Sequence, residues 1–429
     1  MIFLSLKTEP GETRSRLARR LGTADAVVIG LGSMIGAGVF AALGPAAKAA
    51  GAGLLIGLAL AAFVAYCNAT SSAALAALYP ESGGAYVYGR KRLSPFWGFL
   101  AGWCFVIGKL ASCAAMALTF GAYAAPPWRR PLALGAVVIL TGVNLLGIKK
   151  TARVTWILVT VVLASLAVVV AAVLLGGRAD PSNLRPLLEA GPYGILQSAG
   201  FLFFAFAGYA RLATLGEEVR DPEHTIPRAI PLAFGVALLV YAAVALSALL
   251  GAGPKALAES PAPLATAVAA GTWSKLAPIV RVGAAVACLS ALISLLAGLS
   301  RTVFAMSSHR DLPHFLATVH PRLRIPHRAE AAVGLTVMIV VSWIDVPSAL
   351  GFSSFAVLLY YAVANLSAAS LRPSERHWPK WLAWAGLLGC VLLAFSLPLS
   401  SVLGGSVLTA GGFIFWILKR SVKTAARGG

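Results

Sequence analysis

Charge is scarce in this sequence. Asp and Glu together number 15 among 429 residues, and all charged residues make up 12%, where a soluble domain carries about 25%. With a hydrophobic share of 59%, that shortage excludes a water-soluble globular fold. Long polar stretches are also missing, so no separate soluble domain is expected, whereas apolar runs of about 20 residues recur along the chain. Cysteine is sparse and scattered. Cys67, Cys104, Cys113, Cys288 and Cys390 are odd in number and share no loop, so neither a disulfide framework nor a metal site is expected. HExxH, nucleophile-elbow and paired-Asp patterns are lacking in the apolar runs, which argues against an intramembrane enzyme.

What the chain does have is a succession of apolar spans. Twelve are predicted, near 26–49, 53–78, 96–124, 131–148, 152–176, 193–216, 227–251, 279–304, 329–346, 348–371, 380–397 and 400–419. The net charge of +20 sits in the connecting segments and reads as membrane topology rather than nucleic-acid binding. Of the 35 Lys and Arg, eight fall in alternate connections: Lys48, Arg129, Arg130, Arg178, Arg185, Lys255, Lys275 and Arg281. Lys109 and Arg211 lie within spans, and all the others share the side of the N-terminus. The positive-inside rule then puts both termini of a multi-pass protein in the cytoplasm. Residues 1–25, with Arg14, Arg16, Arg19 and Arg20 but no apolar core, read as a cytoplasmic tail and not a cleaved signal peptide. The segment 307–328 holds four of six histidines, but its spacing fits no compact ligand set. It reads as a solvated or interfacial segment.

The first span contains "VVIGLGSMIGAGVF" (27–40), with Gly30, Gly32, Gly36 and Gly38 inside it. Each interior helical glycine costs about 1 kcal/mol against alanine. A dinucleotide fingerprint would need a βαβ unit that an apolar membrane chain does not offer. Two readings remain: close helix packing through Gly32 and Gly36 at GxxxG spacing, and a mid-membrane helix break lining a binding site. A second interruption, "AFAG" within "GILQSAGFLFFAFAGYARLATLGEEV" (194–219), favours the break. Discontinuous helices at corresponding positions of two halves point to a transporter site.

These segments carry a resemblance. "GLGSMIGAGVF" resembles the first-helix signature of the amino acid–polyamine–organocation transporters. "PESGGAYVYGRKRLSPFWGFLAGW" (80–103), "FFAFAGYARLATLGEEVRDPEHTIPRAI" (203–230) and "SRTVFAMSSHRDLPHFLATVHPRLRIP" (300–326) are similar to later segments of that family, in the same order. The resemblance implies an all-α membrane protein of twelve transmembrane helices. They would form a five-plus-five inverted repeat of leucine-transporter type, with helices 1 and 6 broken and two peripheral helices. The repeats would occupy 26–176 and 193–371, and the peripheral helices with the C-terminal tail 378–429. It also implies substrate binding by backbone at Met34, Ile35, Gly36, Ala37 and Gly38, whose amides meet a carboxylate. Carbonyls of Phe203, Phe204, Ala205, Ala207 and Gly208 would meet an ammonium. No cofactor or metal is implied.

The chain departs from family patterns at two points. Ala210, followed by Arg211, stands where several relatives carry an acid, so a neutral rather than a cationic amino acid is expected. Arg211 is assigned to the interface with Glu217 and Glu218, or to gating. Val162 stands where proton-coupled relatives carry lysine. Lys109 lies about 13 residues from either end of its span, roughly 20 Å, beyond the reach of snorkelling, and becomes the coupling candidate. Ser290 and Ser294 are the weaker candidates for a sodium site. The expected function is alternating-access uptake of a neutral amino acid, coupled to protons in preference to sodium. Amino acid exchange, or ligand sensing without transport, are the alternatives.

Overall fold

The structure, a computed structural model, describes residues 22–79, 83–147, 152–176, 179–209, 219 and 221–428, without the side chains of 152, 153, 222, 223, 227 and 420–428. Among the described residues every regular element is helical. In chain order these are α1 (Thr23–Met34), α2 (Ala37–Ala50), α3 (Leu54–Leu78), α4 (Ala85–Arg92), α5 (Pro95–Ala124), α6 (Arg129–Leu145), α7 (Ala152–Leu174) and α8 (Gly191–Phe206). They continue with α9 (Pro222–Glu259), α10 (Pro263–Ala269), α11 (Ala277–Ser308), α12 (His327–Trp343), α13 (Val346–Ala369), α14 (Lys380–Phe395) and α15 (Leu399–Gly428). Seven helical stretches among the described residues are long and apolar enough to cross a membrane: Ala37–Leu78, Pro95–Ala124, Val154–Leu174, His224–Glu259, Ser274–Ser308, Val346–Ala369 and Leu399–Lys419. The helices α6 and α12 have 17 residues each, about 26 Å of rise.

Lipid tails are as apolar as Leu, so helices in a membrane associate through close packing, and small residues set the approach. The crossings here follow that rule. A Cβ on Gly57 of α3 would lie 2.9 Å from Ser198 Oγ of α8, and one on Gly108 of α5 would lie 3.0 Å from Ala356 Cβ of α13. Between α2 and α3 the chain turns at Gly51, whose φ of +57° suits glycine alone without strain.

The buried apolar side chains form two clusters. One draws on α5, α6, α11 and α12 through Cys113, Val137, Leu292, Val333 and Val337. The larger includes Phe40 of α2, Leu58 of α3, Phe203 of α8, Val244 of α9 and Leu358 of α13. Helix α5 serves both, giving Ala115 and Tyr123 to the second. All five cysteines are free thiols buried within these helices.

The short helix α4 is held from three sides. Its Arg90 donates to Asp311 Oδ2 at 2.7 Å, which also accepts the Tyr86 hydroxyl at 2.9 Å. Lys419 of α15 reaches the other Asp311 oxygen at 3.5 Å. Arg92 pairs with Glu375 at 2.7 Å and donates to the Ser370 carbonyl at 3.1 Å. The Tyr360 hydroxyl of α13 accepts the Ala85 N–H at 3.0 Å. The guanidinium of Arg92 holds the Glu375 carboxyl below its ordinary value of 4.5, and burial pushes the Tyr86 phenol up.

Candidate functional site

The glycine-rich first span is broken, and the break is narrow. Helix α1 ends at Met34, Ile35 leaves helical geometry with ψ of 62°, and Gly36 (φ −117°, ψ −140°) opens α2. The Ile35 N–H still reaches back to the Leu31 carbonyl at 2.6 Å, and the Gly36 N–H to the Met34 carbonyl at 2.8 Å. No side chain caps α2. The amides of its first turn, Ala37, Gly38 and Val39, therefore lack intrahelical partners and carry the positive end of the helix dipole. Residues 34–40 are all buried.

The second interruption lies against the first. Helix α8 ends at Phe206 and tightens into a 3₁₀ turn over Ala207–Tyr209. A Cβ on Gly38 would stand 2.6 Å from Ala205 Cα, and one on Gly208 would collide with the Ser33 carbonyl. The Ser33 hydroxyl lies 2.8 Å from the Gly208 carbonyl and 2.8 Å from that of Gly30. Each break thus packs on the backbone of the other.

The expected site residues divide accordingly. Of the residues expected to meet a carboxylate, Gly38 packs on Ala205 and Met34 lies against Gly208, while Gly36 faces Ala291. Gly38 is the second residue of α2. Its missing side chain makes room for α8, and Gly32 likewise makes room for Val159 of α7, 2.7 Å from a Cβ there. At Gly36 a Cβ would meet only Ala291 Cβ, at 3.6 Å, an ordinary contact. The close-packing glycines are therefore Gly32 and Gly38, and Gly36 marks the break. Of the carbonyls expected to face an ammonium, Ala205 accepts from Tyr241 at 2.9 Å, Ala207 from Tyr361 at 3.3 Å, and Gly208 from Ser33. Phe203 and Phe204 are buried, with the Phe203 ring edge-on to Tyr361 at 5.9 Å.

Lys109 lies mid-way along α5 and is 8% exposed, with its ammonium 5.8 Å from the centre of the Phe105 ring. It makes no hydrogen bond or ion pair with a described residue, and none links it to the carbonyls of the break in the first span. Ser294 is exposed and donates to the Ser290 carbonyl of its own helix at 2.9 Å. That bond is the usual fate of a hydroxyl in a span. Ala210, Arg211, Glu217 and Glu218 fall outside the described residues.

Three features escaped the sequence reading. Tyr241 places one hydroxyl 2.5 Å from the Met34 carbonyl and 2.9 Å from that of Ala205, although it lies 207 residues from the first. The Tyr123 hydroxyl donates to the Phe40 carbonyl at 3.2 Å and accepts the Leu264 N–H at 3.2 Å, tying α2 to α10. Glu330, in the first turn of α12, is buried; it accepts from Asn144 at 2.9 Å and from Ser300. A tyrosine in an apolar span needs a partner for its hydroxyl, and that was the available signal for the first two.

The family profile described as "Amino acid permease" matches residues 21–418. The chain belongs to the amino acid permease family. This permease is 55% identical to an uncharacterized transporter of Mycobacterium tuberculosis, over 98% of this chain and 95% of the relative. Two Bacillus subtilis proteins are more distant. A methylthioribose transporter is 27% identical over 86% of this chain and 84% of its own. The branched-chain amino acid permease BcaP is 26% identical over 94% and 91%. Among solved structures, MhsT in complex with L-phenylalanine aligns with a TM-score of 0.62 at 15% identity, covering 93% of this permease and 99% of that chain. At that identity the likeness is one of fold, all-helical in both. The permease is a multi-pass membrane protein.

Proposed function

We propose that this permease carries a neutral amino acid across the cytoplasmic membrane by alternating access, with proton coupling through Lys109. The observation that carries the reading is the meeting of the two helix breaks, α1/α2 at Ile35–Gly36 and α8 at Ala207–Tyr209. One break offers amides without intrahelical partners at a helix N-terminus. The other offers carbonyls at a helix C-terminus that accept from the Tyr241, Tyr361 and Ser33 hydroxyls and keep a second lone pair. A zwitterion presents the complementary carboxylate and ammonium. The residues described at the crossing include no Asp or Glu, so a second positive charge on the substrate would have no partner there. The family profile and BcaP agree with amino acid as the substrate class.

Twelve crossings in two inverted five-helix repeats, followed by two peripheral helices and with both termini cytoplasmic, suit this mechanism. The cluster around α2, α8 and α9 would rock against the one built on α5, α6, α11 and α12. Lys109 belongs to the helix shared by both clusters, where gain or loss of a proton would bias their relative position. Arg211, Glu217 and Glu218 remain candidates for gating. Amino acid exchange is the second reading, because a permease with no external charge movement needs no titrating group.

Thermal-shift titration of the purified protein tests the substrate class, since a ligand that binds the native state raises its melting temperature. Neutral L-amino acids are expected to stabilise it, and arginine and putrescine are not. Preferential stabilisation by a dibasic compound, or by methylthioribose, would overturn the reading. Uptake into proteoliposomes separates transport from sensing.

A further inference from the structure

Tyr241 of α9 stands where the two broken helices meet, and its hydroxyl contacts both. Its oxygen is 2.5 Å from the Met34 carbonyl of α1 and 2.9 Å from the Ala205 carbonyl of α8. A phenol has one proton, so it donates to one of these carbonyls at a time. The Met34 carbonyl also receives the Gly36 N–H at 2.8 Å, which leaves Ala205 the less satisfied whenever the phenol turns to Met34. Three oxygens therefore converge with one phenol proton and one amide proton among them, in a place where Tyr241 is 2% exposed and its ring is packed edge-on against Phe206 at 5.1 Å. A primary ammonium has the opposite composition: three N–H donors and no acceptor.

We propose that the Tyr241 hydroxyl is a specificity-determining part of the substrate's ammonium subsite, accepting one N–H while the Met34 and Ala205 carbonyls accept the others. The inference rests on the amino acid reading above and adds to it a side chain that distinguishes an amine from a hydroxyl at the α-carbon. With the ammonium bound, all three oxygens accept; the Gly36 N–H already holds one lone pair of Met34, so the phenol proton turns to the remaining lone pair of the Ala205 carbonyl. A 2-hydroxy acid brings one donor in place of three and leaves this cluster short of protons, which is costly in a buried site.

The experiment compares L-leucine with its 2-hydroxy analogue, 2-hydroxy-4-methylpentanoate, by binding to purified wild-type protein and to Tyr241→Phe. Phenylalanine keeps the ring contact with Phe206. Wild-type protein should favour the amino acid by tenfold or more. The variant should lose about tenfold in affinity for L-leucine, while the hydroxy acid changes by less than twofold, so the preference narrows. Equal losses for both ligands would make Tyr241 a packing residue and overturn the proposal, as would an unchanged preference. A structure of the unaltered protein with L-leucine gives a second reading that needs no variant. An ammonium nitrogen within about 3 Å of Tyr241 Oη supports the proposal, and one bound by carbonyls alone overturns it. If wild-type protein binds no neutral L-amino acid, the amino acid reading itself fails, and that outcome is distinct from a wild type that binds L-leucine without the help of Tyr241.

Discussion

Gly36 and Gly38 are two residues apart and answer to different constraints, so substitution should separate them. At Gly36 an added methyl group meets only Ala291, at 3.6 Å. Gly36→Ala should therefore keep its melting behaviour within about 0.5 kcal/mol of wild type and yet lose uptake, because in the proposed binding mode the methyl group would crowd the amides that take the carboxylate. Normal uptake by Gly36→Ala would remove substrate from that break. At Gly38 the methyl group would sit 2.6 Å from Ala205 Cα, and backbone cannot step aside cheaply. Gly38→Ala should cost about 1–3 kcal/mol of stability, visible as a lower melting temperature before transport is measured. Lys109 makes a third case. Lys109→Met keeps most of the stem's volume and removes the charge. It should abolish pH-driven accumulation in proteoliposomes while binding by thermal shift survives, and wild-type pH dependence in that variant would make Lys109 structural.

Among elements, α4 is short enough to need its neighbours: an isolated helix of eight residues is not stable in water. Its position depends on Asp311, Glu375 and Tyr360, each more than 200 residues away in the chain. Asp311 is buried beneath Arg90, Tyr86 and Lys419, so Asp311→Asn should cost about 2 kcal/mol and expose the 85–92 segment to proteolysis. Glu375 adds a pH dependence whose sign follows from its lowered pKa. Its contribution is present in full above 4.5 and is lost as pH falls through the lower folded value. Glu375→Gln should accordingly flatten the acid limb of the stability profile, and an unchanged acid limb would put that dependence on another group.

The same contrast explains what was legible in the sequence. Apolar runs locate α3, α5, α11 and α13 because each lies within one continuous stretch of chain. The glycines of the first span announced a break, since helices tolerate them poorly. Its confinement to Ile35–Gly36 was hidden, because the role of Gly38 depends on Ala205. Tyr241, a tyrosine in an apolar span, signalled a hydroxyl in need of a partner but not which one. Its two acceptors are defined only once α1, α8 and α9 have come together, and no local pattern names partners that distant.

For the whole molecule, the packing of one break on the other means that 34–40 are shielded from water in this structure. The alternating access proposed above would require them to become reachable from one side and then the other. The five native thiols are buried, and a thiol held away from water in apolar surroundings is inert to charged reagents. The protein is thus already a silent background for cysteine scanning, with no native residue to remove. A single cysteine placed at Ala37 would report by its labelling rate how often the pathway opens, and an impermeant reagent added to one face of the membrane would report to which side.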